Sequence, residues 1–545
     1  MREFNVTGIC VPNMHYMVDI SEKIEQVYKL VEGRKYFTIN RGRQYGKTTT
    51  IGMLKKRLPG DYICASISFQ YSEDEMFTCE EGFCQGLLSR IHRILSITNK
   101  TEAKLWFDGS VTNFRKLDNF ITERCTGKKV VLIIDEADEA SNNSLFVTFL
   151  KMLRDKYLLR NAGEDFTFHS VILAGVYDVR NLKQKMILAG NYTPSEGESA
   201  MNSPWNIAVD FKVDMSFSAK EIETMLVDYE NDHQTGMDTG EIAREIRFYT
   251  SGYPYLVSRI CLMIETELDR NWTVEGVQEA IKIILDEDST LFGDLTKKIE
   301  ENPDLQNLMY DLTVDNKIIP YNVHDPVIKT GLMYCFLAKG DNGLEVHNRI
   351  FEIVLTNYFI SRNRTKPVYR NVEPASKNEI IRDNIFDMEL CLTKFKRDYA
   401  RIYTGKDLHF LERNGKLIFL TYLTPLINGT GFYHFEPETR DNGKMDLVID
   451  YLKQQFILEL KLWYGESHHK EVCRQLAGYL KSKKMDCGYL LTFDFRQQGD
   501  DRTAESRWIE CDGKRIFDVV LRVERHNGAT GKRKTGNGKR KTGKG

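Results

Sequence analysis

Residues 36–51 read YFTINRGRQYGKTTTI, which combines an apolar run, a short basic loop and the start of a helix. The run YFTIN predicts a buried strand, and Gly46-Lys47-Thr48 opens the helix that follows. Backbone N–H groups of such a loop and of a helix N-terminus point towards bound phosphate. The stretch therefore predicts a phosphate-binding loop in which Lys47 neutralises the phosphates and Thr48 binds Mg²⁺ through its hydroxyl.

The loop departs from the usual phosphate-binding pattern at one position. That pattern has a glycine six residues before the lysine, where this chain has Arg41, and Gly42 stands one place later. A basic turn before a surface helix is therefore the alternative. The stretch VVLIIDEADEA (130–140) favours phosphate binding, although strands also end in acids simply where they reach solvent. Asp135 is predicted to hold Mg²⁺ through water, and Glu136 to polarise the attacking water.

Further apolar runs surround these two motifs. YICASISF (62–69) and VILAG (171–175) predict additional strands, and helical stretches separate all four. This alternation predicts an α/β fold with a doubly wound parallel sheet. The pattern from 218 to 290 is helical, and from 291 to 365 short helices precede two apolar stretches around the turn GDNG (340–343). The second region predicts a small helical domain with a β-hairpin, for which a winged helix is one interpretation.

These motifs resemble the bacterial AAA-like family of P-loop ATPases, whose loop usually reads Arg-Pro-Arg-Arg-Phe-Gly-Lys-Ser/Thr. Among the positions that match that form are Arg41, Gly46, Lys47 and Thr48. Three others differ, with Gly42, Gln44 and Tyr45 in place of Pro, Arg and Phe. The missing first glycine is itself a family trait. The resemblance implies ATP as the bound cofactor, and the predicted ATP-binding residues are Arg41, Gly42, Gly46, Lys47, Thr48, Thr49 and Asp135.

Two further stretches are similar to the same family. They are SPWNIAVDF (203–211) and YTSGYPYLVSRIC (249–261), of which the second resembles the sensor-2 region of initiator-type and signalling ATPases. That resemblance implies a place for Arg259 near the γ-phosphate, with an arginine on a helix surface as the alternative. Asp178 follows the fourth strand, where such folds keep a polar γ-phosphate sensor. The resemblance covers about 16–355.

The stretch GKMDLVIDYLKQQFILELKLW (443–463) predicts a second β-hairpin. Residues two apart share a face of a strand, so Glu459 and Lys461 project together and Asp446 can lie opposite them. Two carboxylates suit Mg²⁺, or alternatively Mn²⁺, and a metal-bound water can become the nucleophile. Lys461 would position that water or stabilise the charge that develops on phosphorus. The alternative is a salt-bridged hairpin face on a solvated sheet.

A predicted helix and an apolar strand follow this hairpin. Gln475 and Tyr479 are four residues apart and therefore share one helix face. Asp/Glu-x-Lys followed by Gln-x-x-x-Tyr resembles the exonuclease-like branch of the PD-(D/E)XK nuclease superfamily. The resemblance implies that Asp446 and Glu459 are metal ligands, that Lys461 is catalytic, and that Gln475 and Tyr479 support the site or the DNA.

The stretch FEPETRDNGKMDL is similar to a nuclease-like domain often paired with AAA-like ATPases. In that resemblance Glu438 and Arg440 would support the metal ligands from behind. Glu412 is the nearest candidate for the first-helix glutamate of such folds, with a plain surface glutamate as the alternative. The nuclease-like match covers about 405–495.

Composition is typical of a globular protein, with 41% apolar and 28% charged residues. The eleven cysteines include no Cys-x-x-Cys pair, which argues against a disulfide framework or a structural zinc site. The chain has no apolar run of about 18 residues, and its N-terminus lacks the plan of a signal peptide. We therefore expect a cytoplasmic protein that does not associate with membranes.

The last twenty residues hold seven Lys or Arg and no acid, and they contain GKRKTG twice. This composition predicts a disordered tail that is attracted to phosphate backbones without reading sequence, or simply a solvated end. The polar stretch 361–379 contains two prolines and predicts a linker.

The predicted organisation has six parts. They are a P-loop AAA-like ATPase core (1–215), a helical lid (216–290), a winged-helix-like domain (291–365), a linker with a leading helix (366–404), an α/β PD-(D/E)XK nuclease-like domain (405–525) and a disordered basic tail (526–545). The resemblances imply that ATP binding and hydrolysis gate or drive a metal-dependent nuclease, with DNA favoured over RNA. Defence against foreign DNA is a role by analogy only. The alternative is a nucleotide-dependent switch or scaffold that binds nucleic acid without cutting it, and either function is compatible with a homo-oligomer.

Overall fold

The structure is a computed structural model of the chain. It describes residues 2–70, 74–140, 143–176, 205–315, 317–364, 377–402, 412–427, 430–435, 446–494 and 506–522. The chain divides into two compact units, Met1–Leu312 with Ile318–Leu355, and Thr313–Lys317 with Thr356–Gly545. The predicted tail and most of the predicted linker lie outside the described residues.

The first unit contains a four-stranded sheet in which all strands are parallel. Its strands are β1 (Tyr36–Asn40), β2 (Tyr62–Ser68), β3 (Lys129–Asp135) and β4 (Ser170–Gly175). The strand order is β1-β4-β3-β2, so β4 separates the strand before the loop from the strand that ends in acids. A parallel bridge between Phe37 and Val209 continues the pairing on the other side of β1. The predicted α/β fold with a parallel sheet is therefore confirmed.

Helices cover this sheet and continue beyond it. In chain order they are α1 (Ser21–Glu32), α2 (Lys47–Arg57), α3 (Glu80–Thr98), α4 (Lys100–Ala103), α5 (Phe114–Cys125), α6 (Ser144–Ala162), α7 (Ala219–His233), α8 (Thr239–Thr250), α9 (Pro254–Thr266), α10 (Val274–Asp286), α11 (Thr290–Glu300), α12 (Pro303–Thr313), α13 (Pro326–Met333) and α14 (Arg349–Arg364). Apolar side chains of α3, α5 and α6 pack with those of β2, β3 and β4 in one buried core. Strands covered in this way read as continuous apolar runs, which is why they could be predicted.

The predicted helical stretch 218–290 forms α7 to α10. Its predicted interruption at 251–254 is present, because α8 ends at Thr250 and α9 begins at Pro254. Gly252 adopts a positive φ of 73°, and a Cβ there would stand 2.0 Å from the carbonyl oxygen of Phe217. Only glycine fits this turn. Further along, β5 (Leu337–Lys339) and β6 (Leu344–Val346) pair antiparallel as the predicted hairpin around GDNG.

The second unit contains a six-stranded mixed sheet in the order β13-β14-β12-β11-β10-β9. Its strands are β9 (Gly431–Phe435), β10 (Asp446–Tyr451), β11 (Gln454–Leu462), β12 (Cys487–Asp494), β13 (Arg507–Cys511) and β14 (Lys514–Arg522). Strands β9, β10 and β11 pair antiparallel, whereas β11, β12 and β14 are parallel. Parallel strands need a long crossover, which the helix Glu466–Ser482 provides between β11 and β12.

The other elements of the second unit begin before the predicted nuclease-like region. They are α15 (Lys377–Ile380), β7 (Ile381–Arg382), β8 (Ile385–Phe386), α16 (Met388–Ile402), α17 (Glu412–Ile427) and α18 (Glu466–Ser482). The Trp508 indole N–H donates to Glu389 at 3.0 Å, so the predicted leading helix α16 is joined to β13. The predicted linker 361–379 is shorter than expected, because its first residues continue α14 and its last begin α15. None of the helices that the structure describes has the length and apolar character needed to cross a bilayer.

Candidate functional site

The loop between β1 and α2 has an irregular backbone. Gly46 precedes the helix with φ at 76°, and Gln44 also has a positive φ of 55°. Glycine adopts this conformation freely, whereas an L side chain such as that of Gln44 pays roughly 1–2 kcal/mol. Strained backbone conformations of this kind are common at ligand-binding sites, and they persist where the surrounding structure enforces them. Lys47 is the first helical residue, as the phosphate-binding interpretation requires.

The loop meets the acidic end of β3 through a direct hydrogen bond. The Thr48 hydroxyl donates to Asp135 Oδ2 at 3.0 Å, although Thr48 lies in the helix that follows β1 and Asp135 ends β3, which is not adjacent to β1. Asp135 Oδ1 accepts a second hydrogen bond from the backbone N–H of Glu136, also at 3.0 Å. A hydroxyl and a carboxylate side by side are the oxygen groups that hold Mg²⁺ with several of its waters in place. The donor set therefore fits the Mg²⁺ that the sequence predicts.

Lys47 is 8% exposed, and its ammonium turns back on its own loop. It donates to the carbonyl oxygens of Arg41 and Gly42 at 3.0 and 2.9 Å. Burial lowers the pKa of Lys47, and the nearby Glu136, Asp138 and Asp135 carboxylates act in the opposite direction. The two carbonyl contacts hold the ammonium within its own loop.

Glu136 follows β3 in a left-handed conformation, with φ at 53°. Burial raises the pKa of its carboxyl group, and Asp138 and Asp135 raise it further, while Lys47 lowers it. A carboxylate with a raised pKa accepts a proton more readily near neutral pH. Glu136 is thus suited to a base or a water-orienting group.

A cavity of about 690 Å³ opens over the loop, within the size range of small-molecule sites. Lys47, Thr48 and Glu136 line one side of it, and Phe211, Met215 and Phe217 contribute apolar surface. Asp138, Glu139 and the N-terminal residues Asn5 and Cys10 also line it, although sequence reasoning did not identify them. The two acids were visible in the DEADE run, but no pattern in the sequence places residues 5–10 beside the loop.

Several predicted ATP-binding residues have other contacts. The Arg41 guanidinium donates to the carbonyl oxygens of Asn40 and Val213 at 2.8 and 3.0 Å. It therefore links the loop to the segment around Val213. The Thr49 hydroxyl lies at the cavity wall but accepts a hydrogen bond from the Cys10 N–H at 3.2 Å.

Gly42 is required by packing on the far side of the loop. A Cβ at this position would stand 2.6 Å from the Tyr334 carbonyl oxygen. Its N–H donates to the Cys335 sulfur at 3.3 Å, a contact that proline could not make. Neither the close approach nor the hydrogen bond would survive a larger residue or a proline at this position.

Only one of the two predicted γ-phosphate sensors, Arg259, lies among the described residues, and the structure does not bring it to the cavity. Arg259 donates to Glu287 through Nε at 3.2 Å and through a second, shorter contact, and it does not line the cavity. A helix-surface ion pair is therefore the observed arrangement, which was the alternative for this residue. Asp178 lies outside the described residues.

In the second unit, the predicted hairpin has the expected register. Asp446, described through its backbone only, stands directly opposite Glu459 in the antiparallel pair of β10 and β11. Glu459 is 2% exposed, and the Lys461 ammonium lies 3.1 Å from its Oε1. That contact is an ion pair by distance but lacks hydrogen-bond geometry, so neither Glu459 oxygen has a hydrogen bond in the described part of the chain. A buried carboxylate without hydrogen bonds is costly unless a cation completes its surroundings.

Gln475 and Tyr479 both lie on α18, as predicted. The Gln475 amide donates to Glu471 at 3.3 Å, and Tyr479 packs against the apolar core beneath the helix. Glu412 is the first residue of α17. The side chain of Glu412 lies outside the described part of the structure, and so do Glu438 and Arg440.

His469, which none of the sequence motifs includes, contacts Asp518 on the same face of this sheet. Glu459 is in register with Leu490 of β12, and Leu490 with Asp518 of β14. His469 Nε2 lies 3.0 Å from Asp518 Oδ2, and the imidazole packs against Trp463 with ring centroids 4.8 Å apart. The row Glu459, Leu490 and Asp518 comes from three separate strands, so no local sequence motif could have indicated it. Among the described residues no group of three or more His, Cys, Asp and Glu forms a ready metal site.

No family model matches the chain, and no curated protein does. Among solved structures, the chain is similar to the Walker-type ATPase of Pyrococcus abyssi, with 13% identity, a TM-score of 0.43 and coverage of 65% of this chain and 99% of that one. It is similar to the Thermotoga maritima RuvB Holliday junction branch migration motor at 13% identity and a TM-score of 0.29, covering 60% and 92%. The Aeropyrum pernix ORC2 protein in ADPNP–ADP complexes matches at 12% identity and a TM-score of 0.32, covering 65% and 97%. At these TM-scores the functional argument rests on the geometry of the site.

Proposed function

We propose that the first unit binds ATP with Mg²⁺ and hydrolyses it in the cytoplasm. The observation that carries this proposal is the 3.0 Å hydrogen bond between Thr48 and Asp135, which joins the helix start to the acidic strand end. Lys47 lies on the same cavity wall, where its ammonium can leave two backbone carbonyls for phosphate oxygens. These are the groups that phosphoryl-transfer sites require, namely a phosphate cradle, oxygen ligands for a metal and an acid for the water.

The residues of the chain have distinct tasks in this reaction. Bound Mg²⁺ would neutralise charge on the phosphate oxygens. The N–H groups at the start of α2 and the Lys47 ammonium hold the phosphates in place, since a helix N-terminus favours anions. Glu136, with its raised pKa, orients the attacking water and accepts its proton.

A calorimetric and kinetic comparison tests this proposal. Lys47→Ala is expected to abolish MgATP binding, whereas Glu136→Gln is expected to bind MgATP without turning it over. Lys56→Ala is the matched control, because Lys56 is exposed in the last turn of the same helix. Absence of MgATP binding by the unmodified chain would exclude the proposal.

We further propose that the second unit is a metal-dependent nuclease that acts on DNA. The supporting observation is Glu459, a buried carboxylate that has no hydrogen bond to any described residue and that stands opposite Asp446 and 3.1 Å from Lys461. Glu459 and Asp446 would hold Mg²⁺ or Mn²⁺, which would supply an activated water. Lys461 would stabilise the charge that develops on phosphorus. A nucleic-acid-binding scaffold without cleavage is the competing function.

Cleavage assays with single- and double-stranded DNA and RNA separate these functions. Glu459→Gln and Lys461→Met are expected to remove metal-dependent cleavage, and Lys470→Ala on the exposed side of α18 is the control. Binding without cleavage by the unmodified chain would favour the scaffold. Cleavage that survives both substitutions would place the active site elsewhere.

We also propose that the nucleotide state of the first unit gates the second. To shift an active population from 1% to 99%, nucleotide must favour one state by about 5.5 kcal/mol. Glu136→Gln with ATP is expected to hold the nuclease in one state, and Lys47→Ala to hold it in the other. Equal cleavage rates in both variants, with and without ATP, would show that the two units act independently.

A further inference from the structure

The basic residues of the phosphate-binding loop differ in what they contact. Arg41 and Lys47 each donate to two backbone carbonyl oxygens of the first unit. Arg43 has a side chain that is 68% exposed, and it lines the cavity. Its guanidinium makes no hydrogen bond within the described parts of the chain, and it is ion-paired only loosely, at 3.9 Å, with Asp294. Arg43 is therefore available to an anion that enters the cavity.

The backbone from which this side chain extends is held firmly. The Tyr253 hydroxyl donates to the Arg43 carbonyl oxygen. The Tyr45 ring packs edge-on against Tyr253 with centroids 4.7 Å apart, and the Tyr45 hydroxyl lies 3.0 Å from His347 Nε2. Arg43 is thus a flexible cation on a fixed backbone, four residues before Lys47 and in the same cavity.

We propose that Arg43 is a catalytic residue of ATP hydrolysis, an arginine that the chain supplies to its own nucleotide. This inference rests on the ATP hydrolysis proposed above. In that reaction the water oxygen forms a bond to the γ-phosphorus, and the bond from phosphorus to the β,γ-bridging oxygen breaks. The proton of the water goes to Glu136, and negative charge appears on the bridging oxygen of ADP. Arg43 contacts the γ-phosphate and that oxygen, because a guanidinium binds two phosphate oxygens through parallel N–H groups.

Asp294 is the resting partner of this arginine. It lies in α11, whose first residues Thr290 and Leu291 line the same cavity. The γ-phosphate competes with Asp294 for the guanidinium, and the ion pair forms again when phosphate leaves. Because the arginine is supplied within one chain, the rate per chain is expected to stay constant as the protein concentration rises.

The test uses the full chain with Arg43→Ala, Arg43→Lys and, as a control, Arg57→Ala at the exposed end of α2. Arg43→Ala is expected to lower kcat by about 100- to 1,000-fold, the loss typical of one charge-stabilising donor. MgADP affinity is expected to stay unchanged, and the affinity for MgADP with aluminium fluoride to fall as kcat falls. Arg43→Lys keeps the charge but loses the planar guanidinium group, so its kcat should lie between those of the unmodified chain and Arg43→Ala.

The outcomes separate this inference from the proposal beneath it. If the unmodified chain does not bind MgATP, both fail. If it binds and hydrolyses MgATP while Arg43→Ala matches it in kcat and in affinity for the aluminium fluoride complex, Arg43 is a surface residue. A rate per chain that increases with protein concentration would instead assign the arginine to a neighbouring copy. Because Arg43 is exposed, an unchanged melting temperature in Arg43→Ala confirms that the comparison is between folded proteins.

Discussion

Substitution of His347 is expected to change how the stability of the first unit depends on pH. His347 is partly buried, and its imidazole packs edge-on against the rings of Tyr45 and Tyr253. Burial lowers the pKa of His347 to about 4, and Arg247 and Arg41 lower it further while Asp214 raises it. The folded state therefore disfavours the imidazolium, which the unfolded chain forms with a pKa near 6.5.

The sign and size of the effect follow from linkage. Between pH 6.5 and 4 the unfolded state binds more protons, so stability falls as the solution is acidified. One pKa unit corresponds to about 1.4 kcal/mol. A shift of this size therefore lowers the free energy of unfolding by about 3 kcal/mol once the pH is below the pKa of the folded state. Between pH 7 and pH 5 the loss from His347 should be about 2 kcal/mol.

Chemical denaturation at several pH values measures this contribution. His347→Gln keeps a polar group for the Tyr45 hydroxyl but cannot be protonated, so its stability should vary less between pH 7 and 5. The difference between the two proteins isolates His347 from other histidines such as His169, whose pKa is also lowered by burial. Parallel stability curves for the two proteins would refute the reasoning, since they would show that His347 does not resist protonation in the folded state.

Two further predictions concern one residue in each unit. Gly42→Ala should destabilise the first unit by about 1–3 kcal/mol, because the added methyl group would stand 2.6 Å from the Tyr334 carbonyl oxygen. Gly60→Ala is the control and should leave stability unchanged, because the space around Gly60 is open. Thermal melts would show this, and equal melting temperatures for the two variants would contradict it. In nucleotide-free protein, Mg²⁺ at 100 times its Kd should stabilise the second unit by about 2.7 kcal/mol. Glu459→Gln should lose that stabilisation, and its survival would remove Glu459 from the metal site.

The local geometry of both candidate sites could be predicted from sequence. An apolar strand, a Gly-Lys-Thr helix start and a strand ending in Asp135-Glu136 are contiguous patterns, and the structure places Thr48 against Asp135. The register of Asp446 and Glu459 was also predictable, because a hairpin with a short turn allows few pairings.

Contacts between distant segments could not be predicted in this way. The Arg41 guanidinium binds the carbonyl oxygen of Val213, and Gly42 packs against Tyr334, so their roles depend on segments far away in sequence. The pairing of His469 with Asp518 likewise depends on the position of β14 in the sheet. Sequence periodicity reports which face of an element is buried, but not which residue of another element it meets.

The hydrogen bonds that Lys47 makes to its own loop give the site a means of discriminating between anions. A ligand gains from the ammonium only after it replaces the carbonyl oxygens of Arg41 and Gly42. A single weakly bound anion, such as inorganic phosphate, offers little to compensate for both contacts. A triphosphate makes several further contacts with the loop and the helix start at the same time. The loop is therefore expected to bind inorganic phosphate weakly, although phosphate is abundant in any cell, and to bind a polyphosphate chain tightly.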